Sequence, residues 1–331
     1  MPGHTQFPRA SVTRRAVLAG AAAALAVPAA AQTRFPSGPV QLVNSVGPGA
    51  SPDVICRLLA EHLSKLWGQQ VVVINRPGGA GAVAIRSVAP AVPDGHTLYM
   101  ALATNFIALP ELQKGFPVDV VRDFVPIAFA GEHPLMIAAG PSTGVKTLPE
   151  LIALLKSKPG EINIAAGNRG SIIHLAAEWL RIATNTQFTV LHYLGGAQAL
   201  PDVLGGRVQI IIDAIPSIRG PVDGGQVRPL AVTSKTRLPN FPNIPAVSET
   251  LPGYEALGWL VLMAPPGTPP AIAQRISEDV RTVQAAPELK KRSEDLGNYP
   301  RMTTPAELTA FIQEQIRIWR PVIAETAKVI K

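Results

Sequence analysis

The chain has 331 residues, with 30 Lys and Arg against 23 Asp and Glu, one cysteine and 5% aromatic residues. Arg9, Arg14 and Arg15 fall in the first 31 residues, where there is no acid, so the remainder carries a mild +4. No Lys/Arg block and few aromatics argue against nucleic acid as a partner. A single cysteine excludes an intrachain disulfide and leaves stability to the core.

Residues 1–31 read as an export signal. Arg14-Arg15 precedes the apolar run Ala16 to Val27, which ends at Ala29-Ala30-Ala31. That is a charged start, a short apolar segment and a small-residue cleavage site. The paired arginines suggest the twin-arginine route. The run is well short of the ~20 residues needed to span a bilayer, so a soluble, exported mature protein that is not membrane-embedded is expected.

Roughly 300 residues remain, enough for two ordinary domains. Pro39 to Ser45 reads as a strand, and Ser51-Pro52-Asp53 supplies an N-cap, a first-turn proline and an acid for a helix to about Trp67. Val71 to Ile74 is a continuous apolar run, expected to be a strand buried on both faces. A glycine-rich turn and a helix to about Ala89 follow, then a strand over Thr97 to Leu102. This β-α-β-α-β order predicts a parallel sheet with helices on its faces.

Two apolar strands, Val125 to Ala130 and Leu135 to Ala139, mark the passage to a second domain. Thr147-Leu148-Pro149-Glu150 opens a helix as a capping box. Strands follow at Ile162 to Ala165, Phe188 to His192, Val208 to Ile212 and Arg228 to Thr233. Leu257 to Ala264 carries the chain back, and capped helices begin near Thr268 and Thr304. The expected domains are 32–130 and 131–256, with 257–331 completing the first.

Three strand-to-helix junctions share one design: Gly47 to Ser51, Gly167 to Ser171 and Leu194 to Gly196. Small residues lead each strand into a helix whose first N–H groups lack intrahelical partners, which makes a ready anion site. In open α/β sheets, ligands bind outside the carboxyl ends of the strands. The candidate ligand residues are therefore Val46, Pro48, Gly49, Ala50, Ser51 and Asp53 on the first loop. Ala166, Gly167, Asn168, Arg169, Gly170 and Ser171 form the second, with Thr104, His174, Tyr193 and Asp213 nearby. Arg169 is read equally as a cation for the ligand or as a solvated surface arginine. His174 is weighted towards a structural role bonded to nearby backbone. Asp213 either orients a ligand or loop, or caps the turn that follows it. Cys56 is read as buried and inert.

Other chemistry finds no support. Gly79 to Ala84 matches G-x-G-x-x-A, but it follows the second strand rather than the first, and no acid ends a strand about 20 residues on. There is no G-x-S-x-G, H-E-x-x-H or Walker sequence, and the histidines lack metal-ligand spacing. No cofactor, metal or catalytic residue is expected.

Several segments in order carry a resemblance: Gly49 to Arg57, Val73-Ile74-Asn75-Arg76-Pro77-Gly78-Gly79-Ala80-Gly81 and Pro93-Asp94-Gly95-His96-Thr97-Leu98. They continue with His174-Leu175-Ala176, Tyr193, Leu204 to Gln209, Leu230 to Ser234 and Ala264 to Pro269. Together they resemble the Bug family of periplasmic solute receptors, the binding proteins of tripartite tricarboxylate transporters. The resemblance implies a two-domain α/β periplasmic-binding-protein fold of type II. Each domain would be a mostly parallel sheet flanked by helices, with the ligand cleft between them.

It further implies a small carboxylate ligand, transporter subunits in the membrane as partners, and capture by hinge closure; a monomer is expected. A sensory receptor for the same ligand class shares every feature, and an exported hydrolase is the weaker alternative. The chain departs from the family pattern at its loops: Pro52 removes a donor, Ala166 lacks the usual hydroxyl, Arg169 adds a guanidinium, and Leu194 stands where a Lys is usual. These changes suit an aromatic or longer-chain carboxylate.

Overall fold

The computed structural model describes residues 35–329. The export signal read over residues 1–31 lies outside them. Residues 38–329 form one compact unit. No helix among the described residues is long and apolar enough to cross a membrane.

The first half of the sheet is built from β1 (Val40–Asn44), β2 (Val71–Asn75) and β3 (Thr97–Leu102), all parallel, in the order β2-β1-β3. Helix α1 (Ser51–Trp67) links β1 to β2 and ends at Gly68, whose φ of 64° is the left-handed cap that glycine accepts without strain. Helix α2 (Ala82–Val88) links β2 to β3. After β3 come three short helices, α3 (Ala103–Ile107), α4 (Leu109–Leu112) and α5 (Val120–Asp123). The β2 run is not buried on both faces: it lies at the sheet edge with β1 as its neighbour, and Val72 is 41% exposed.

Val125 to Ala139 is one strand, β4, of 15 residues, where two had been expected. Its register shifts near Ala128 and Gly131 let it bend without stopping. Residues 125–134 pair with β9 (Leu257–Ala264), which is antiparallel to β3 on its other side. Residues 135–139 pair with β7 (Ile210–Ala214) and β8 (Arg228–Val232). The strand thus crosses from one sheet half to the other. The second half continues β7-β5-β6, with β5 (Asn163–Ala166) parallel to β6 (Thr189–His192) and to β7. Around it lie α6 (Leu148–Ser157), α7 (Ile172–Thr184), α8 (Gly196–Leu204) and α9 (Ile215–Asp223). The capping-box hydroxyl of Thr147 accepts from Glu150 N as expected.

The chain returns through β9, all eight residues of which are buried because strands flank it on both sides. Helices α10 (Pro270–Gln284), α11 (Pro287–Asp295) and α12 (Pro305–Val329) close the fold. α12 packs on β4, on α3 of the first half and on α7 of the second. Phe106 meets Trp259 at 5.0 Å, Trp259 meets Phe311 at 5.4 Å, and Trp179 meets both Trp319 (4.9 Å) and Tyr254 (4.8 Å). Each such ring pair contributes about 1 kcal/mol beyond its area burial. One apolar cluster therefore runs through both halves, tied by the crossing strands and α12.

Candidate functional site

Both sheet halves present the carboxyl ends of their parallel strands to the crossing strands, where the predicted loops lie. The first loop follows β1. Its scaffold is Asp53, which is 1% exposed. One carboxylate oxygen accepts from Gly49 N at 2.8 Å and Arg57 Nε at 2.9 Å; the other accepts from Asn75 Nδ2 at 2.8 Å and Asn44 Nδ2 at 3.2 Å. Asn44 Oδ1 in turn accepts from Val46 N, and Asn75 Nδ2 donates to Val46 O. Burial pushes the Asp53 carboxyl up, but the bonds from Arg57, Asn75, Gly49 and Asn44 outweigh it and hold its pKa near about 2.

Asp53 thus shapes the loop with its carboxylate saturated by protein donors, and Gly49, at φ 82°, has its N–H turned inward. The helix begins one residue earlier than expected. Ala50 is the N-cap, without a side-chain cap bond, and Ser51 and Pro52 fill the first turn. The tie between Gly49 N and Asp53 replaces the hydroxyl cap assigned to Ser51. The N–H groups of Ser51 and Asp53, in the first helical turn, have no intrahelical acceptor. Val46, Ala50 and Ser51 are half-buried, and Pro48 is exposed.

The second loop follows β5. Ser171 caps α7, its hydroxyl accepting from His174 N at 3.2 Å. Gly170 N donates to His174 Nδ1 at 3.1 Å, which fixes that nitrogen as an acceptor. His192 Nδ1 donates to Gly167 O at 2.8 Å, and the two imidazoles meet edge to face at 4.9 Å. Burial first, then the charges of His192, Arg169 and Arg181, pull the His174 pKa down to about 4. Glu178 stands 3.8 Å from its Nε2 but is already bound by Arg181 at 2.5 Å. A Cβ on Gly167 would stand 2.6 Å from Ser171 Oγ, so only glycine fits this close turn.

With Gly170 N and His174 N engaged, the open donors of the first turn are the N–H groups of Ile172 and Ile173. Asn168 and Arg169 are exposed on the loop, and Ala166 is buried beneath it. Tyr193 continues β6 with its N–H on Ala166 O, and its hydroxyl is bound to Asp202 at 2.6 Å. Asp213, at the end of β7, bonds Ala214 N at 2.6 Å. Burial pushes it up to about 6 against bonds from Ala214, Ser217 and Gly196. Its carboxyl therefore joins the end of β7 to the start of α8. Thr104 is half-buried in α3, immediately after β3. Leu194 stands 76% exposed beside the second loop.

Asn44, Asn75 and His192 were not among the predicted site residues, yet they hold the two loops. Their signal was present: VVVIN and VQLVN are apolar strands that each end on asparagine. Cys56 is fully buried, and burial pushes its thiol up, as an inert core residue requires. No three His, Cys, Asp or Glu side chains among the described residues group as a metal site. A cavity of about 540 Å³ lies elsewhere, between α3–α5 and α12, and includes no residue of either loop.

The family model described as tripartite tricarboxylate transporter family receptor matches residues 55–327. Protein BugT of Bordetella pertussis is 32% identical over 313 residues, 94% of this chain and 96% of that one. The solved structure of R. palustris Rpa4515 with adipate is similar with a TM-score of 0.79 at 29% identity, over 89% of this chain and 98% of that one. MatC from Rhodopseudomonas palustris with bound malate is similar with a TM-score of 0.74 at 27% identity, over 87% and 100%. The chain belongs to the receptor family of the tripartite tricarboxylate transporters, with the two-domain fold of periplasmic binding proteins.

Proposed function

We propose that this receptor works in the periplasm, capturing a small carboxylate between its two lobes and presenting it to the membrane subunits of a tripartite transporter without chemically changing it. The observation that carries the reading is the pair of helix starts at one edge. The α1 and α7 first turns offer the N–H groups of Ser51, Asp53, Ile172 and Ile173, each suited to a carboxylate oxygen at roughly 1.5–3 kcal/mol. The bound adipate and malate of the similar structures support the same ligand class. Arg169 adds a cation and Leu194 an apolar contact, which together favour a carboxylate with a longer or aromatic body.

The lobes run over 38–130 with 257–329, and over 131–256, and closure hinges on β4 and β9. A ligand favours the closed state only through contacts from both lobes. A thermal-shift screen of residues 32–331 against aliphatic and aromatic carboxylates tests this. At about 100-fold its dissociation constant a true ligand stabilises the fold by roughly 2.7 kcal/mol. No response to any carboxylate, with a shift from a neutral or cationic compound, would overturn it.

A further inference from the structure

The crossing strands form the floor between the two loops, and their register fixes which side chains face the ligand. Glu132 lies opposite Trp259, and His133 lies opposite Gly258. Directly opposed residues of an antiparallel pair share a face. Glu132 binds Arg301 at 2.8 Å, Arg301 lies over Phe129 and Phe311, and Trp259 packs on Phe311 of α12. That face is therefore covered by α12, and His133 and Gly258 face the other way. There, a Cβ on Gly258 would stand 3.5 Å from both His133 Cβ and Ile172 Cγ2. Ile172 is the first residue after Ser171, so His133 lies beside the start of α7.

His133 Nε2 is shut off from solvent and has no hydrogen-bond partner among the described residues. A buried polar atom left unpaired costs about 1–3 kcal/mol, and native proteins keep few of them. Burial holds the pKa of the ring down at about 4, so at neutral pH it carries one donor and one acceptor nitrogen. That pair matches a hydroxyl or carbonyl oxygen, whereas a second carboxylate is better served by a cation. Glycine at 258 lets His133 Cβ, its carbonyl oxygen and Ile172 Cγ2 pack within contact distance of that position.

We propose that His133 is a specificity-determining residue of the cleft, bonding a hydroxyl or carbonyl oxygen of the ligand, directly or through one water, while the helix starts hold its carboxylate. This rests on the cleft being a carboxylate site, and it names the ligand class as hydroxy- or oxo-carboxylates. Calorimetry on the full mature chain tests it with three probe pairs that differ by one hydroxyl: succinate and malate, butyrate and 3-hydroxybutyrate, benzoate and 3-hydroxybenzoate.

The wild-type protein should bind the hydroxylated member of at least one pair about tenfold more tightly. His133→Phe should remove that preference by weakening the hydroxylated member alone, and His133→Asn should restore part of it. Gly258→Ala, whose methyl stands at ordinary contact distance, should fold as wild type and weaken the same member. A carboxylate bound with no hydroxyl preference, a preference that survives His133→Phe, or equal weakening of both members overturns the His133 assignment while the carboxylate site stands. Binding of none of the six probes overturns both.

Discussion

The two loops solve the same problem with opposite chemistry. The loop after β1 is held by a buried anion: Asp53 gathers Asn44, Asn75, Arg57 and Gly49 N around one carboxylate, and its helix has no hydroxyl cap. The loop after β5 is held without a buried anion, with Ser171 capping α7, His174 accepting from Gly170 and His192 donating to Gly167 O. A charged scaffold holds to lower pH and fails severely when its charge is removed. A scaffold that depends on His174, kept neutral by burial, is sensitive closer to neutrality.

Removing the anion is the harshest way to break this comparison. Asp53→Ala should destabilise the protein by about 4 kcal/mol, because Asn44, Asn75 and Gly49 N lose a shared acceptor and Arg57 its partner. Urea unfolding reads this, and a loss under 1 kcal/mol would show that the first loop does not depend on its carboxylate.

The pH response comes next. His174 has a folded pKa of about 4, below its ordinary 6.5, so the unfolded chain takes up the proton first. Its stabilisation is complete above about pH 6.5 and is lost as pH falls to about 4, on the order of 3 kcal/mol. His133 declines over the same window, and Asp213, raised to about 6, acts in the opposite sense. The His174 share is therefore the difference between the wild type and His174→Asn. Asp53, held near about 2, keeps its contribution until pH falls below about 4 and loses on the order of 2 kcal/mol from there. Identical wild-type and His174→Asn profiles between pH 6.5 and 4 would remove the distinction between the loops.

Two smaller tests sharpen it. Ser171→Ala should cost about 1 kcal/mol through the lost cap, whereas Ser51→Ala should cost less than about 0.5 kcal/mol because Ser51 caps nothing. Thermal melts of the two variants compare them directly. Arg169→Ala should leave the melting temperature unchanged, since the side chain is exposed, and should weaken carboxylate binding about tenfold. Unaltered affinity for each carboxylate that binds would make it the solvated surface arginine of the alternative reading.

Much of the site was legible because its cues are local. Glycines between strand and helix, Ser171 before an amphipathic run, and the boxes at Thr147 and Thr304 all act within a few residues, and the hydroxyls of Thr147 and Thr304 accept from the N–H groups of Glu150 and Glu307. Partnership at a distance was not legible: the Asp53 carboxylate meets Asn75, 22 residues away, and the Tyr193 hydroxyl meets Asp202 on α8. Ser51 carried the residue type of a cap, but with Gly49 N tied to Asp53 the N-cap falls one residue before it, at Ala50.

The sequence by itself determined the alternation of strands and helices, the glycine corners, the inert Cys56 and the family, because periodicity, capping and motif order are properties of short segments read in line. Tertiary structure alone decided that Val125 to Ala139 is one strand shared by two sheet halves, that β2 is an edge, and that His133 lies on the face away from α12. Those outcomes depend on which strands pair and in what register. Pairing joins segments far apart in the chain, and a one-residue slip would turn each side chain to the opposite face.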